Sequence, residues 1–169
     1  MIVLVRVDNR LLHGQILETW VPRLKARAIV VADDEAAGSA LARAAMTLAL
    51  PPDLPASIEP LGGVDWAELA AGEARVLVLL RDVCDLERAV AAGLGPAQAP
   101  RINLGNVHFA QGRLEVTPSV FLSAAEMETM VRLARAGFEV EARAIPSDPP
   151  VSADEMARRY KAAGERLDS

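Results

Sequence analysis

Short apolar segments rich in β-branched residues alternate along the chain with longer, alanine-rich segments that have helical spacing. The apolar segments are expected to form strands at residues 2–7, 28–32, 57–61, 76–80 and 138–144. The segments with helical spacing are residues 13–21, 36–50, 64–71, 83–92 and 123–136. Two strand segments are continuously apolar, as in strands covered on both faces. The pattern predicts an α/β fold: an open, mostly parallel (mixed) central sheet with helices on both faces.

Helix ends carry recognisable signals. Leu50-Pro51-Pro52 is expected to end the second helix, and Gly137 stands where a C′ residue belongs. Ser123 and Ser152 are each followed three residues later by a glutamate, which predicts two capping boxes. We expect one domain over residues 1–169, ending in an amphipathic helix after Pro150.

The stretch 101–122 lacks helical spacing. We expect two short strands there, and the run Gln111-Gly112-Arg113 resembles a hairpin turn. An antiparallel pair at this place would make the central sheet mixed.

Composition limits the class of protein. Hydrophobic residues make up 51% of the chain, yet no apolar run approaches the roughly 20 residues that cross a bilayer. The first ten residues place apolar side chains before charged ones, the reverse of a signal peptide. The single cysteine, Cys84, excludes an internal disulfide framework and a cysteine-based zinc site. A cytoplasmic protein is expected.

The net charge is −5, and no basic cluster stands out along the sequence. Nucleic acid is therefore not expected as a partner. Aromatic residues make up only 4% of the chain, so few stacking platforms for bases or sugar rings are available.

Candidate chemistry gathers in residues 8–15, between the first strand and the first helix. Ligands of such sheets bind beyond the carboxyl ends of the strands. The loop contains an acid, an amide, a cation, an imidazole and a glycine: Asp8, Asn9, Arg10, His13 and Gly14, followed by Gln15.

Each of these groups suits the holding of phosphate on a histidine. An imidazole such as that of His13 can act as a nucleophile without a strong base. Arg10 can pair with phosphoryl oxygens as a fork, and Gly14 lets backbone N–H groups approach the anion. Asp8 or a backbone carbonyl would orient the other ring nitrogen. Side-chain alternation along the strand leaves the direction of Arg6 open. A histidine at a helix start is more often a surface or capping residue, so the residues alone leave both roles open.

The run from Arg6 to Gln15 closely resembles the phosphorylation-site motif of the mannose/sorbose-type enzyme IIB components of the bacterial phosphoenolpyruvate-dependent sugar phosphotransferase system. That motif reads R-x-D-x-R-L-x-H-G-Q, and every fixed position is matched. Further likeness follows in order at residues 29–37, 85–93, 102–105 and 145–149.

The resemblance implies that His13 accepts a phosphoryl group on Nδ1 from the phosphohistidine of a IIA protein. The group would pass to a sugar imported by the membrane subunits IIC and IID, with the chain peripherally associated with that permease. Arg10 would assist the transfer as the second catalytic residue. Residues implied to bind the phosphoryl group are Arg6, Asp8, Asn9, Gly14, Gln15, Asp33, Asn103 and Gly105.

The chain contains neither a phosphate-binding G-x-x-x-x-G-K-[ST] loop nor a glycine-rich nucleotide fingerprint. The phosphoryl group is therefore expected to arrive already activated on another protein, with no cofactor and no metal.

One segment departs from the family pattern. Where the family commonly has a second glycine and an apolar residue, this chain has Asn106-Val107-His108. His108 either lines the site or is structural.

Two other functions stay open: a regulatory phosphocarrier that uses the same residue, His13, and an anion-binding module in which His13 is never phosphorylated. The sugar and a possible homo-oligomer cannot be predicted from the sequence.

Overall fold

A seven-stranded sheet runs through the computed structural model, which describes residues 1–167. Its strand order is β3-β2-β4-β1-β5-β8-β9. The strands are β1 (Ile2–Asp8), β2 (Ala28–Ala32), β3 (Ala56–Glu59), β4 (Val76–Leu80), β5 (Arg101–Asn106), β8 (Glu139–Ala142) and β9 (Val151–Ser152). All neighbours pair in parallel except β9, which is antiparallel to β8. The expected open, mostly parallel α/β sheet is confirmed.

A separate hairpin consists of β6 (Leu114–Thr117) and β7 (Val120–Leu122). The sequence prediction for this region is partly wrong. Gly112, with φ of 84°, does form a turn, but that turn leads into β6, and the chain reverses at residues 118–119. The central sheet is mixed because of β9, a strand of two residues that was not predicted.

The helices are α1 (Val21–Leu24), α2 (Asp34–Gly38), α3 (Ala40–Leu48), α4 (Trp66–Ala71), α5 (Val83–Ala91), α6 (Ala124–Arg135) and α7 (Ala153–Leu167). A π-helical turn, Ile16–Trp20, precedes α1. The helix expected over 36–50 is two helices, because the Ser39 hydroxyl accepts a hydrogen bond from Ala42 N and caps a new one. Within residues 1–167, no helix is both long enough and apolar enough to cross a membrane.

The predicted helix ends are largely confirmed. Ser123 and Glu126 form a reciprocal capping box, and Gly137 adopts φ of 105° just after α6. At α7 only half of a box forms. The Ser152 hydroxyl accepts from Glu155 N, whereas the Glu155 carboxylate accepts from two arginine side chains of its own helix.

Two apolar cores cover the two faces of the sheet. One contains Trp20 and the π-helical turn, and the other contains Trp66 and the buried faces of α5 and α6. Every residue of β4 is buried, as its continuously apolar sequence predicts.

The central strand β1 is the switch point of the sheet. The chain leaves β1 toward β2 and β3, whereas β4 and β5 connect in the opposite direction across the sheet. Ligands of open α/β sheets bind at the carboxyl ends of strands where this reversal occurs. The loop that follows β1 therefore occupies the position at which a ligand site is expected.

Candidate functional site

The loop after β1 is held in one conformation by its own backbone. Leu11 N donates to Asp8 O at 2.8 Å, and Leu11 adopts φ of 54° while its side chain is buried. A branched residue with positive φ is uncommon and persists only where the surrounding structure imposes it. The turn brings His13, at the start of the next helical segment, back over the end of the strand.

Asp8 is the centre of the site. Its carboxylate is fully buried, and its Oδ2 accepts from Arg6 Nη2 at 2.9 Å and lies 3.3 Å from His13 Nε2. Its Oδ1 accepts from both N and Nε of Arg10 at 3.1 Å. Burial by itself would raise the pKa of Asp8, but the hydrogen bonds from His13 and Arg10 and the charge of Arg6 hold this pKa well below its usual range.

The ionised carboxylate fixes the tautomer of the neutral His13 ring. A carboxylate can only accept hydrogen bonds, so the proton of the neutral imidazole must lie on Nε2, facing Asp8. The lone pair is then on Nδ1, and no side chain or backbone group of residues 1–167 forms a hydrogen bond with Nδ1. The His13 side chain remains 19% exposed.

Arg6 lies beneath Asp8 and is fully buried. Its guanidinium donates to the Asn103 side chain and to the backbone oxygens of Arg143 and Ala144, and it stacks over the Trp20 ring at 4.9 Å. Burial lowers the pKa of Arg6, against the opposing effect of Asp8. The ambiguity in the direction of this side chain is resolved: it points into the protein.

Three of the predicted phosphoryl-binding residues therefore support Asp8 from below. Arg6 and Asn103 are fully buried, and Gly105 leaves the space that the Arg6 guanidinium fills. Within this arrangement they reach a ligand at His13 only through Asp8, and a direct contact with a phosphoryl group stays a prediction.

Arg10 is the exposed cation of the site. Its side chain is 43% exposed, and Nη2 donates to Asp8 Oδ2 at 3.3 Å and to Gln15 Oε1 at 3.2 Å. Gly14 opens the first helical turn, and a Cβ built there would lie 3.9 Å from Glu18 Oε1, an ordinary contact distance. A guanidinium and free N–H groups at a helix opening are both suited to an anion.

Asn9 joins the loop to both neighbouring strands. Its Nδ2 donates to Arg81 O, at the end of β4, at 2.8 Å, and its backbone N donates to Asn106 O, at the end of β5, at 2.9 Å. Its Oδ1 accepts from His108 N. The His108 ring is exposed and lies 3.0 Å from the Asn106 side-chain nitrogen.

Asp33 lies at the end of β2, with β4 between it and β1. Its carboxylate caps α2 through Ala36 N and accepts two hydrogen bonds from Arg81, both at 2.7 Å. Burial opposes ionisation, but the Arg81 hydrogen bonds and the helix cap lower the pKa of Asp33. Asp33 is therefore connected to the His13 loop only indirectly, through Arg81.

Sequence reasoning missed Arg81 and Arg143. Arg81 directly follows the buried strand β4 and faces the same sheet edge, a position that marks it as a candidate. Arg143 follows β8 and lies 5.6 Å from the Trp20 ring, held by Glu141 at 2.7 Å.

Fold and site together define an open α/β domain that presents an oriented histidine at the central switch point. The chain belongs to the family described as PTS system sorbose subfamily IIB component, whose model matches residues 2–167.

Individual relatives agree with this family. The chain is 31% identical over 154 residues to the PTS system mannose-specific EIIAB component of Escherichia coli K12, covering 86% of this chain and 45% of that protein. It is 30% identical to the N-acetylgalactosamine-specific phosphotransferase enzyme IIB component 2 of the same organism, covering 89% of this chain and 94% of the relative. The chain thus spans less than half the length of the mannose-specific relative.

Among solved structures, the fold is similar to that of manxB from Thermoanaerobacter tengcongensis. The TM-score is 0.82 at 26% identity, covering 95% of this chain and 96% of the other. The IIBSor domain of the sorbose permease from Klebsiella pneumoniae superposes with a TM-score of 0.81 at 23% identity, covering 94% and 97% of the two chains. This second likeness supports the fold alone.

Proposed function

We propose that this chain is a phosphocarrier that accepts a phosphoryl group on Nδ1 of His13 and passes it to a sugar. The donor is the phosphohistidine of a IIA protein, and the sugar is the one imported by membrane subunits IIC and IID. The chain works in the cytoplasm, peripherally associated with that permease. Support comes from family membership and from the name of the mannose-specific relative, EIIAB, which joins IIA and IIB in one protein.

The contact between Asp8 and His13 carries the proposal. Because Asp8 holds the ring through Nε2, the nucleophilic nitrogen is the one that faces away from the buried carboxylate. A histidine serving only as a helix cap or a surface residue does not need a fully buried carboxylate that is paired with two arginines. Orienting an imidazole through its second nitrogen is a common requirement of histidine chemistry.

The transfer itself exchanges one P–N bond for another. The Nδ1 lone pair of neutral His13 attacks phosphorus while the bond to the donor imidazole breaks, and the donor nitrogen takes back the electron pair. The phosphorylated His13 ring keeps its Nε2 proton and becomes cationic, so the negative Asp8 carboxylate 3.3 Å away stabilises it. In the second step a sugar hydroxyl attacks phosphorus, the P–Nδ1 bond breaks, and neutral His13 returns. The hydroxyl proton passes to solvent or to a base near the sugar.

Charge on the three phosphoryl oxygens needs stabilisation in both steps. A loose phosphoryl-transfer transition state depends on positioning and on electrostatics rather than on covalent help. Arg10, which is 43% exposed, and the N–H groups of Gly14 and Gln15 at the helix opening would supply this stabilisation. Asn9 would keep the loop in register with β4 and β5 while partners bind and leave.

A labelling experiment tests the proposal. Wild type, His13→Gln and His108→Gln are each incubated with phosphoenolpyruvate, enzyme I, HPr and the cognate phosphorylatable IIA protein. Wild type and His108→Gln should gain one acid-labile, base-stable phosphate, and His13→Gln should gain none. His108 is the matched control because the chain has only two histidines. Equal labelling of His13→Gln would reject the site, and no labelling of wild type would favour an unphosphorylated anion-binding module.

The regulatory alternative uses the same chemistry without the sugar. The two functions differ in the molecule that receives the phosphoryl group. Under the proposed function, phosphorylated wild type transfers its phosphate to a sugar when membranes that contain IIC and IID are present. Retention of the phosphate in such membranes, with transfer to a regulatory protein instead, would favour the regulatory phosphocarrier.

A further inference from the structure

We propose that Phe109 is the main apolar contact for the protein that delivers the phosphoryl group. The proposal rests on the proposed function and names a residue of the surface that recognises the donor. Phe109 is one of three phenylalanines in the chain, and it is 69% exposed. It lies in residues 107–113, here called the rim loop, which follows β5.

The rim loop lies beside the His13 loop. Asn9, in the His13 loop, accepts a hydrogen bond from His108 N, directly before Phe109, and its own backbone N donates to Asn106 O at 2.9 Å. The two loops therefore share one edge of the sheet, at the ends of β1 and β5. A donor whose phosphohistidine reaches His13 must bring its surface against this edge, because reacting atoms have to approach to roughly 3–3.5 Å.

The rim loop is hydrogen-bonded to the rest of the protein at both of its ends. Val107 N donates to Ser119 O at 2.9 Å, and Phe121 N donates to Val107 O at 3.0 Å, so the start of the loop is pinned to β7. At the other end, Arg113 donates to His108 O at 2.8 Å and pairs with Glu126 of α6.

The ring of Phe109 also has an aromatic neighbour. It packs edge to face against Phe121, with the centroids 5.8 Å apart and the planes at 83°. A rigid aromatic side chain loses little conformational entropy when a partner covers it. Aromatic side chains, phenylalanine included, are enriched in protein–protein interfaces, where a few large side chains supply most of the binding energy.

The expected partner surface is therefore apolar around its phosphohistidine. The donor presents a negatively charged phosphoryl group, which meets the exposed guanidinium of Arg10, and an apolar border, which covers Phe109. A negative charge at position 109 should repel such a donor, whereas another apolar side chain should be tolerated.

The test compares a protein donor with a small one. Phosphoryl transfer to wild type, Phe109→Ala, Phe109→Leu and Phe109→Glu is measured with the cognate IIA protein, phosphorylated through enzyme I and HPr, and separately with phosphoramidate. With the protein donor, we expect KM to rise about tenfold for Phe109→Ala, more for Phe109→Glu and less for Phe109→Leu. Labelling by phosphoramidate should be unchanged in all three, which also shows that they are folded.

Leu48→Ala is the matched control. Leu48 is 87% exposed and ends α3, which runs from the carboxyl end of β2 toward the amino end of β3, away from the His13 edge. Its KM for the protein donor should equal that of wild type. An unchanged KM for Phe109→Ala would overturn the proposal, as would a KM change together with equal loss of phosphoramidate labelling. Loss of self-association with an unchanged KM would assign Phe109 to a contact between copies instead. If neither donor labels wild type, it is the proposed function that fails.

Discussion

The Arg6 guanidinium fills the space that a side chain at residue 105 would need, and residue 105 is a glycine. A Cβ built on residue 105 would lie 1.8 Å from Arg6 Cζ, far inside any real contact distance. The guanidinium lies there because it donates at once to Asp8, to Asn103 and to two backbone oxygens beyond β8. The glycine of β5 thus makes room for the buried cation that keeps Asp8 ionised beneath His13.

Gly105→Ala should therefore damage both stability and phosphorylation. The methyl group has to displace Arg6 or the backbone of β5, and we expect a loss of at least about 2 kcal/mol in the free energy of unfolding. Urea unfolding at pH 7 measures the loss, and labelling through the IIA protein measures the effect on His13. Gly38→Ala is the control, because open space surrounds that position. A Gly105→Ala variant as stable and as active as Gly38→Ala would disprove the packing argument.

Asp8→Asn should destabilise the protein in a pH-dependent way. The substitution leaves the buried Arg6 charge without its partner, and breaking such a pair costs about 3–5 kcal/mol. The pKa of Asp8 is lower in the folded state than in the unfolded chain. The ionised carboxylate therefore stabilises the fold at pH values above the ordinary pKa of an aspartate, and this stabilisation is lost as the pH falls from that value toward the lowered one. The difference in unfolding free energy between wild type and Asp8→Asn should hence narrow by about 1 kcal/mol between pH 7 and pH 3. Urea titrations of both proteins measure this, and a constant difference would show that the Asp8 pKa is not lowered.

Arg10→Lys should slow phosphoryl transfer far more than it weakens folding. The lysine keeps the charge but loses the planar fork that can hold two phosphoryl oxygens. We expect a decrease of about ten- to a hundredfold in the transfer rate, equivalent to about 1.4–2.8 kcal/mol of barrier. The stability change should stay below about 1 kcal/mol, since Arg10 is 43% exposed. Rapid-quench kinetics with the phosphorylated IIA protein measure the rate, and equal rates for the two proteins would remove the fork from the mechanism.

Asn9→Ala should loosen the His13 loop without removing any charge. The variant loses the hydrogen bonds to Arg81 O and from His108 N, each worth about 1 kcal/mol. Hydrogen exchange at the amides of residues 9–13 should become faster, and phosphorylation slower, while exchange in β4 stays as in wild type. Unchanged exchange in the loop would mean that the backbone hydrogen bond to Asn106 O suffices to hold it.

The long elements of the fold could be predicted because their patterns are strong. The continuously apolar β4 and the spacing of α6 leave little choice of structure. The hairpin was placed wrongly because the turn signal at Gly112 is ambiguous. Gly112 does form a turn, but the sequence around it does not show that the hairpin reverses at a second turn, at residues 118–119. A strand of two residues, such as β9, is too short to carry a period.

The candidate site was predictable as far as it is contiguous. Residues 8–15 stand together in the sequence, so their proximity needs no tertiary structure. The direction of Arg6 was not predictable, because a strand covered on both faces buries either side, and its partners come from β5 and the end of β8. The hydrogen bond from Asn9 to Arg81 O was not predictable either, because the two residues are 72 positions apart in the sequence.

Long-range ¹H–¹⁵N NMR of the histidine rings, before and after phosphorylation by the IIA protein, tests the role of the Asp8–His13 contact most directly. Before phosphorylation, the neutral His13 ring should carry its proton on Nε2, toward Asp8. Afterwards the phosphoryl group should be found on His13 Nδ1, with the Nε2 proton retained and the His108 spectrum unchanged. Phosphate on His13 Nε2 or on His108 would contradict the claim that Asp8 chooses the nitrogen that carries the phosphoryl group.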